Sequence, residues 1–301
     1  MIDEPTLSQM LEQARGYVEE RKLLHASQMY RRITEAAPEL ESAWVELSHV
    51  YSELRQYQAA ENVLQRAMSR SNDPNKITFL LGNLYFRCGD SNRALTYYKQ
   101  LLVHERQLSL TLRSHLEFNI ALCYFSRGNF KLAESHFRKT KRIDPQFPKI
   151  NESLGELLLR RNVLPEAITV LKQAIVDDPS SWIGHYLLGL AFARRRQWAG
   201  AYDEFVSAVE MDPNEPNGWQ MCGEVLLALE RYEEAERYLR KSLELNPQLT
   251  DAIANVGTLY LRRGDSETAS ECFERALSLE PRNAKALRGK EELHLMAKSR
   301  S

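Results

Sequence analysis

From Thr250 to Pro281 the chain reads TDAIANVGTLYLRRGDSETASECFERALSLEP. Ile253, Val256, Gly257 and Tyr260 recur at three-and-four spacing, which predicts one apolar face of a helix. Gly264 closes that helix, because glycine accepts the left-handed conformation at a helix end. Asp265 is placed to cap the next helix through its carboxylate. Ala269, Phe273 and Ala276 then line one face of a second helix. Pro281 has no amide donor and disfavours helical geometry at Glu280, so the second helix must stop there.

The same unit recurs along the chain. Pro145, Pro179, Pro213, Pro247 and Pro281 are each 34 residues apart, and Pro38 falls in the same frame once a five-residue insertion is allowed. A fixed period in this range marks a stack of supersecondary units. Gly82, Gly155, Gly189, Gly223 and Gly257 occupy one column of successive first helices. Glycine inside a helix costs about 1 kcal/mol relative to alanine, so five such costs need a common cause, and close approach of the partner helix supplies one. Ala26, Ala60, Ala94, Ala133, Ala167, Ala201, Ala235 and Ala269 hold the matching column of the second helices. Four residues beyond each comes a filler: Tyr30, Leu64, Tyr98, Phe137, Leu171, Phe205, Leu239 and Phe273.

These columns resemble the tetratricopeptide repeat family. Trp44, Leu47, Tyr51, Ala60, Leu64 and Ala67 match its signature in one unit; Leu188, Gly189, Phe192, Ala201, Phe205, Ala208 and Pro213 match it in another. The departures are single ones. Ser48 and Ala121 replace the glycine, Arg106 stands where a proline would be, and Met10 and Gln13 sit in the tryptophan and leucine columns of the first unit. The resemblance implies an all-α, right-handed superhelical solenoid of antiparallel helix pairs, with first helices lining the concave face. It implies one solenoid over residues 1–301, with units at about 7–40, 41–74, 75–108, 114–147, 148–181, 182–215, 216–249 and 250–283. Residues 109–113 are extra and predict a longer helix there. Beyond Ala284 a capping helix is expected over about 284–297, polar at Lys290 and Glu291 where a repeat has leucine and glycine, because the end of a stack faces water.

Composition excludes several classes. Hydrophobic residues make up 43% and charged residues 27%, which suits a folded chain rather than a disordered one. The formal net charge of −1 gives no global pull toward nucleic acid. The first ten residues are acidic and lack an apolar core, so no secretory signal is expected, and no apolar run approaches membrane-spanning length. A cytoplasmic location follows as the expectation.

No phosphate loop, dinucleotide fingerprint, zinc-protease helix or nucleophile elbow occurs, so neither catalysis nor a cofactor is expected. The seven histidines are dispersed; His49, His115 and His185 fall in first helices as surface or packing residues, and no metal site is expected. Cys88, Cys123, Cys222 and Cys272 lack Cys-x-x-Cys spacing and read as inert thiols in helix-packing columns. Asn151-Glu152-Ser153 matches a glycosylation sequon but lies in an expected helix.

If first helices line a groove, as the resemblance implies, the residues flanking the packing columns face it. Phe79 and Phe86 flank Asn83, and Phe118 and Phe125 flank Asn119; residues seven apart share a helix face. Arg87, Lys149, Arg160 and Arg194 would add positive charge. These ten residues are the expected peptide-binding groove of a non-catalytic scaffold or adaptor. They fit ordinary helix packing equally well. Two alternatives stay open. The carboxylate clamp that some family members use for chaperone tails is matched at Asn83, Asn119 and Lys149 but not at Phe79 and Ser153. An RNA-binding helical repeat would need a continuous basic stripe, which Glu156 and Glu224 interrupt. Residues 75–147 carry twelve Lys/Arg against five Asp/Glu, and residues 216–281 carry seven against twelve. That asymmetry suits a protein or peptide partner, acidic for the basic middle, or head-to-tail self-association; it also suits solvated second helices.

Overall fold

The computed structural model describes residues 4–300. Among them are seventeen α-helices, one 3-10 turn at Glu105–Gln107, and no strand. Residues up to Phe147 form one compact unit and residues from Pro148 form a second.

The first unit holds four helix pairs: α1 Glu4–Glu19 with α2 Leu23–Ala36, α3 Glu41–Glu53 with α4 Tyr57–Met68, α5 Pro74–Arg87 with α6 Ser91–Leu102, and α7 Leu110–Ser126 with α8 Phe130–Ile143. The second unit holds four more: α9 Ile150–Arg160 with α10 Leu164–Asp177, α11 Trp182–Arg194 with α12 Trp198–Met211, α13 Pro216–Ala228 with α14 Tyr232–Leu245, and α15 Thr250–Arg262 with α16 Ser266–Leu279. A final helix, α17, spans Ala284–Arg300. It runs three residues past the expected end. The extra residues lengthen α7 to 17 residues, against 14 in α5.

Each pair closes on one device. Arg21, Arg55, Gly89, Gly128, Asn162, Arg196, Glu230 and Gly264 all have positive φ, and all sit at the same place in the turn. The following amide bonds back across the turn, as in Lys22 N–H to the Tyr17 carbonyl at 2.8 Å and Asp265 N–H to the Tyr260 carbonyl at 3.0 Å. This six-to-one bond satisfies a helix-end carbonyl and forces the left-handed residue whatever its side chain. Asp265 caps α16 by accepting from Thr268 N–H at 3.1 Å, as its position predicts.

The glycine column is a row of seats for rings and leucines. A Cβ on Gly82 would meet the Tyr98 ring at 2.3 Å; on Gly189 it would meet Phe205, and on Gly257 Phe273, each at 2.7 Å. Gly155 and Gly223 seat Leu171 and Leu239 in the same way. All eight alanines of the matching column have no exposed surface. In these five pairs the core side chains therefore interlock so closely that no further methyl fits at the glycine. In α17 the seat shifts by two residues. Gly289, not the residue in the expected column, lies against Phe273, so both Gly257 and Gly289 give that ring its space.

Candidate functional site

In each unit the first helices of successive pairs touch one another, as α5 touches α7 and α13 touches α15. Polar side chains stitch these contacts together. On the wall of the first unit the buried Tyr98 hydroxyl donates to Asn83 Oδ1 at 2.7 Å, and Asn119 Nδ2 donates to the same oxygen at 2.7 Å. Both lone pairs of that carbonyl are used. The Asn83 side-chain NH2 and the Asn119 side-chain carbonyl make no bond within the described chain. Burial pushes the Tyr98 hydroxyl far above the ordinary tyrosine range, so it is a fixed donor.

The four phenylalanines are half-buried rather than exposed. Phe79 lies against Tyr98 with ring centroids 5.9 Å apart, and Phe118 against Phe137 at 5.4 Å and Phe147 at 4.8 Å. Phe125 lies against Phe130 at 5.6 Å. Phe86 packs partly on the core around Tyr85 and Leu95, and its free side lines a cleft of about 610 Å³ with Asn92, Ser126 and Arg127. Each ring thus serves its own pair on one side and meets solvent on the other.

The cations are less free than the sequence suggests. Arg87 reaches from α5 to Glu53 of α3 at 2.5 Å, and this pairing, led by the hydrogen bond, holds the Glu53 carboxyl below the ordinary glutamate range. In the second unit Arg160 pairs with Glu156 at 3.4 Å, and Arg194 donates to the Leu159 carbonyl. Lys149 is exposed, immediately before α9, with a left-handed φ of 61°. Of the ten expected residues, Asn83 and Asn119 are in direct contact.

One reading is corrected. Cys88 is exposed, because α5 ends at Arg87 and Cys88 is already in the turn. Cys123 and Cys222 are buried thiols, each pushed up to about 12 by burial, and Cys272 is intermediate.

Two polar clusters escaped the sequence. Glu117, with a side chain only 1% exposed, is bonded to His136 Nδ1 and lies 3.4 Å from Lys139 Nζ, both on α8. In the second unit Lys285 of α17 pairs with Glu224 of α13 and, at 3.1 Å, with Asp251 of α15. The signal for the latter was present: Lys285 lies one 34-residue period beyond Asp251. Among the described residues no group of three or more His, Cys, Asp or Glu side chains is arranged to hold a metal ion, and no helix is long and apolar enough to cross a membrane.

Helix pairs seated on a glycine column, with first helices forming a bonded wall, define a helical repeat protein of the interaction-scaffold class. Profiles described as tetratricopeptide repeat match residues 41–74, residues 79–148 with 153–216, and residues 222–280. The chain belongs to the tetratricopeptide repeat family. It is 22% identical over 77% of its length to BBSome complex member BBS4 of Bos taurus, covering 44% of that protein. It is 20% identical over 79% of its length to anaphase-promoting complex subunit 3 of Schizosaccharomyces pombe, covering 35% of that protein. The chain therefore spans less than half the length of these relatives. A solved chain of the APC/C hetero-tetramer Cut9–Hcn1 superposes with a TM-score of 0.67 at 15% identity, over 97% of this chain and 57% of that one, and supports the fold.

Proposed function

We propose that this chain is a non-catalytic scaffold that captures a peptide or helical segment of a partner protein on its first-helix wall. Tetratricopeptide repeat proteins act as protein-interaction scaffolds, and the relatives above carry the names of complex subunits. One observation supports the finer reading. The Asn83–Asn119 pair leaves one side-chain NH2 and one side-chain carbonyl without a bond among the described residues. That is the complement of one peptide group, whose C=O accepts and whose N–H donates. The half-buried faces of Phe79, Phe86, Phe118 and Phe125 flank the pair and offer apolar surface to the side chains on either side of that peptide group. Fully burying one large apolar side chain contributes roughly 1.5–3 kcal/mol. On the second unit Lys149 supplies an exposed charge, while Arg87, Arg160 and Arg194 could serve a partner only by exchanging their bonds to Glu53, Glu156 and the Leu159 carbonyl. Four cysteines without a disulfide suit a reducing compartment such as the cytoplasm.

The test is quantitative affinity capture from cells that express the chain, comparing wild type, the double variant Phe86→Ala with Asn119→Ala, and the second-helix control Arg138→Ala with Lys141→Ala. The groove pair should lose the principal partner while circular dichroism stays at the wild-type level, and the control should retain it. Loss only in the control would move recognition to the second helices.

A further inference from the structure

The second repeat has an open channel that the seventh repeat fills with its own side chains. In both, a tryptophan at the same column fixes its ring by donating the indole N–H six residues back: Trp44 to the Pro38 carbonyl at 3.0 Å, and Trp219 to the Pro213 carbonyl at 2.9 Å. In the seventh repeat Tyr238 of α14 rests against Trp219, with ring centroids 5.6 Å apart, and its hydroxyl meets that of Tyr202 on α12 at 3.1 Å. The two tyrosines close the space between α12 and α14 above α13.

The residues in register with Tyr238 and Tyr202 are Val63 and Ser27. Both are small. Between α2 and α4 a cavity of about 240 Å³ remains, floored by Trp44, Leu47 and Tyr51 of α3 and walled by Arg31, Val63 and Arg66. This is room for one bulky side chain. The walls carry two guanidinium groups against a single carboxylate, Glu35. Neither Arg31 nor Arg66 has an ion-pair partner among the described residues. A third guanidinium, Arg70, lies 5.6 Å from the Trp44 ring centroid. An arginine with no carboxylate partner at the mouth of an aromatic-floored pocket favours an apolar anchor flanked by acidic groups.

We propose that the channel between α2 and α4 is a docking site for a short acidic segment of a partner protein, which seats one aromatic side chain on the Trp44–Leu47–Tyr51 floor and lays its carboxylates on Arg31 and Arg66. The site is separate from the first-helix wall and stands whether or not that wall binds a peptide.

The experiment uses the full chain labelled with nitrogen-15 and the capped peptide Asp-Glu-Phe-Glu-Asp as probe, with Phe→Ala and all-lysine peptides as comparisons. The Trp44 indole N–H resonance is expected to shift with the acidic phenylalanine peptide and not with the other two. Val63→Tyr, which copies the seventh repeat, should weaken the interaction at least about tenfold, the loss expected when one buried ring is excluded. Arg31→Glu with Arg66→Glu, at exposed positions that should not disturb folding, should abolish it. The proposal is overturned if the probe leaves Trp44 unmoved, or if folded Val63→Tyr binds as wild type does. Should Val63→Tyr fail to fold, unchanged binding by the arginine pair overturns it equally. A concentration-dependent Trp44 shift without peptide would make a second copy the occupant and also overturn it.

Discussion

Asn119 donates its side-chain amide to the Asn83 carbonyl at 2.7 Å, joining α7 to α5 on the first-helix wall. The same oxygen accepts the hydroxyl of Tyr98, which is fully buried. The two asparagines are therefore not equivalent. Asn83→Leu strands the Tyr98 hydroxyl without an acceptor and should cost about 1–3 kcal/mol, whereas Asn119→Ala leaves that bond in place and should cost about 0.5–1.5 kcal/mol. In a Tyr98→Phe background most of the difference should vanish. Urea unfolding of the two asparagine variants in each background decides it; equal losses for Asn83→Leu and Asn119→Ala in the wild-type background would contradict the geometry.

The glycine seats predict overpacking. A Cβ at Gly189 would stand 2.7 Å from the Phe205 ring. Gly189→Leu should destabilise by about 1–3 kcal/mol, and Phe205→Ala in the same chain should return part of that by vacating the seat. Gly264→Leu should also destabilise, but through its left-handed φ of 86° in open space, so Phe273→Ala should not relieve it. Thermal melts of these four variants separate the two causes.

Acid should find Glu117. Burial, the largest single influence, pushes its pKa up, yet the bonds and charges of His136 and Lys139 outweigh burial and bring the net shift below the ordinary value of 4.5. A carboxylate whose folded pKa lies below its unfolded one adds stability above the unfolded value and loses it as pH falls through the folded value. Stability should therefore decline below about pH 4.5, and Glu117→Gln should flatten that acid limb while costing about 1–3 kcal/mol at neutral pH. An unchanged acid limb in Glu117→Gln would show that other carboxylates carry it.

The two ends of the chain should differ in hydrogen exchange. At the C-terminal end Phe273 is fully buried against Gly257 and Gly289, and Lys285 and Arg262 tie α17 to the first-helix wall. At the other end the first pair carries Met10 and Gln13 in columns that elsewhere hold tryptophan and leucine; Met10 is buried and Gln13 exposed. Residues 7–40 should exchange earlier than residues 250–283, because a stack opens where its neighbour contacts are poorest. The reverse order would count against it.

Much of this was readable from spacing. The glycine column and its fillers sixteen residues on are a local relation, and local register carries directly into contact. The left-handed turns were read only at Gly264, because a hydrogen bond imposes the conformation on Arg21, Arg55, Asn162, Arg196 and Glu230 as well. Cys88 was misread because the helix ends one residue before it. The wall was half legible. Spacing put Asn83 and Asn119 on adjacent helices, but which amide donates is set by the Tyr98 hydroxyl, and the half-burial of Phe79 and Phe118 comes from rings on the second helix and, for Phe118, Phe147 just beyond it.

The capture of a partner segment on the first-helix wall is tested most directly by site-specific photo-crosslinking. A benzophenone amino acid replaces Phe86 on the wall in one chain and Lys131, exposed on α8, in another. Illumination in cells that express the chain should give a discrete adduct from position 86, suppressed by Asn119→Ala, and none of comparable yield from position 131. An adduct from position 131 alone, or one from position 86 indifferent to Asn119→Ala, would contradict the account.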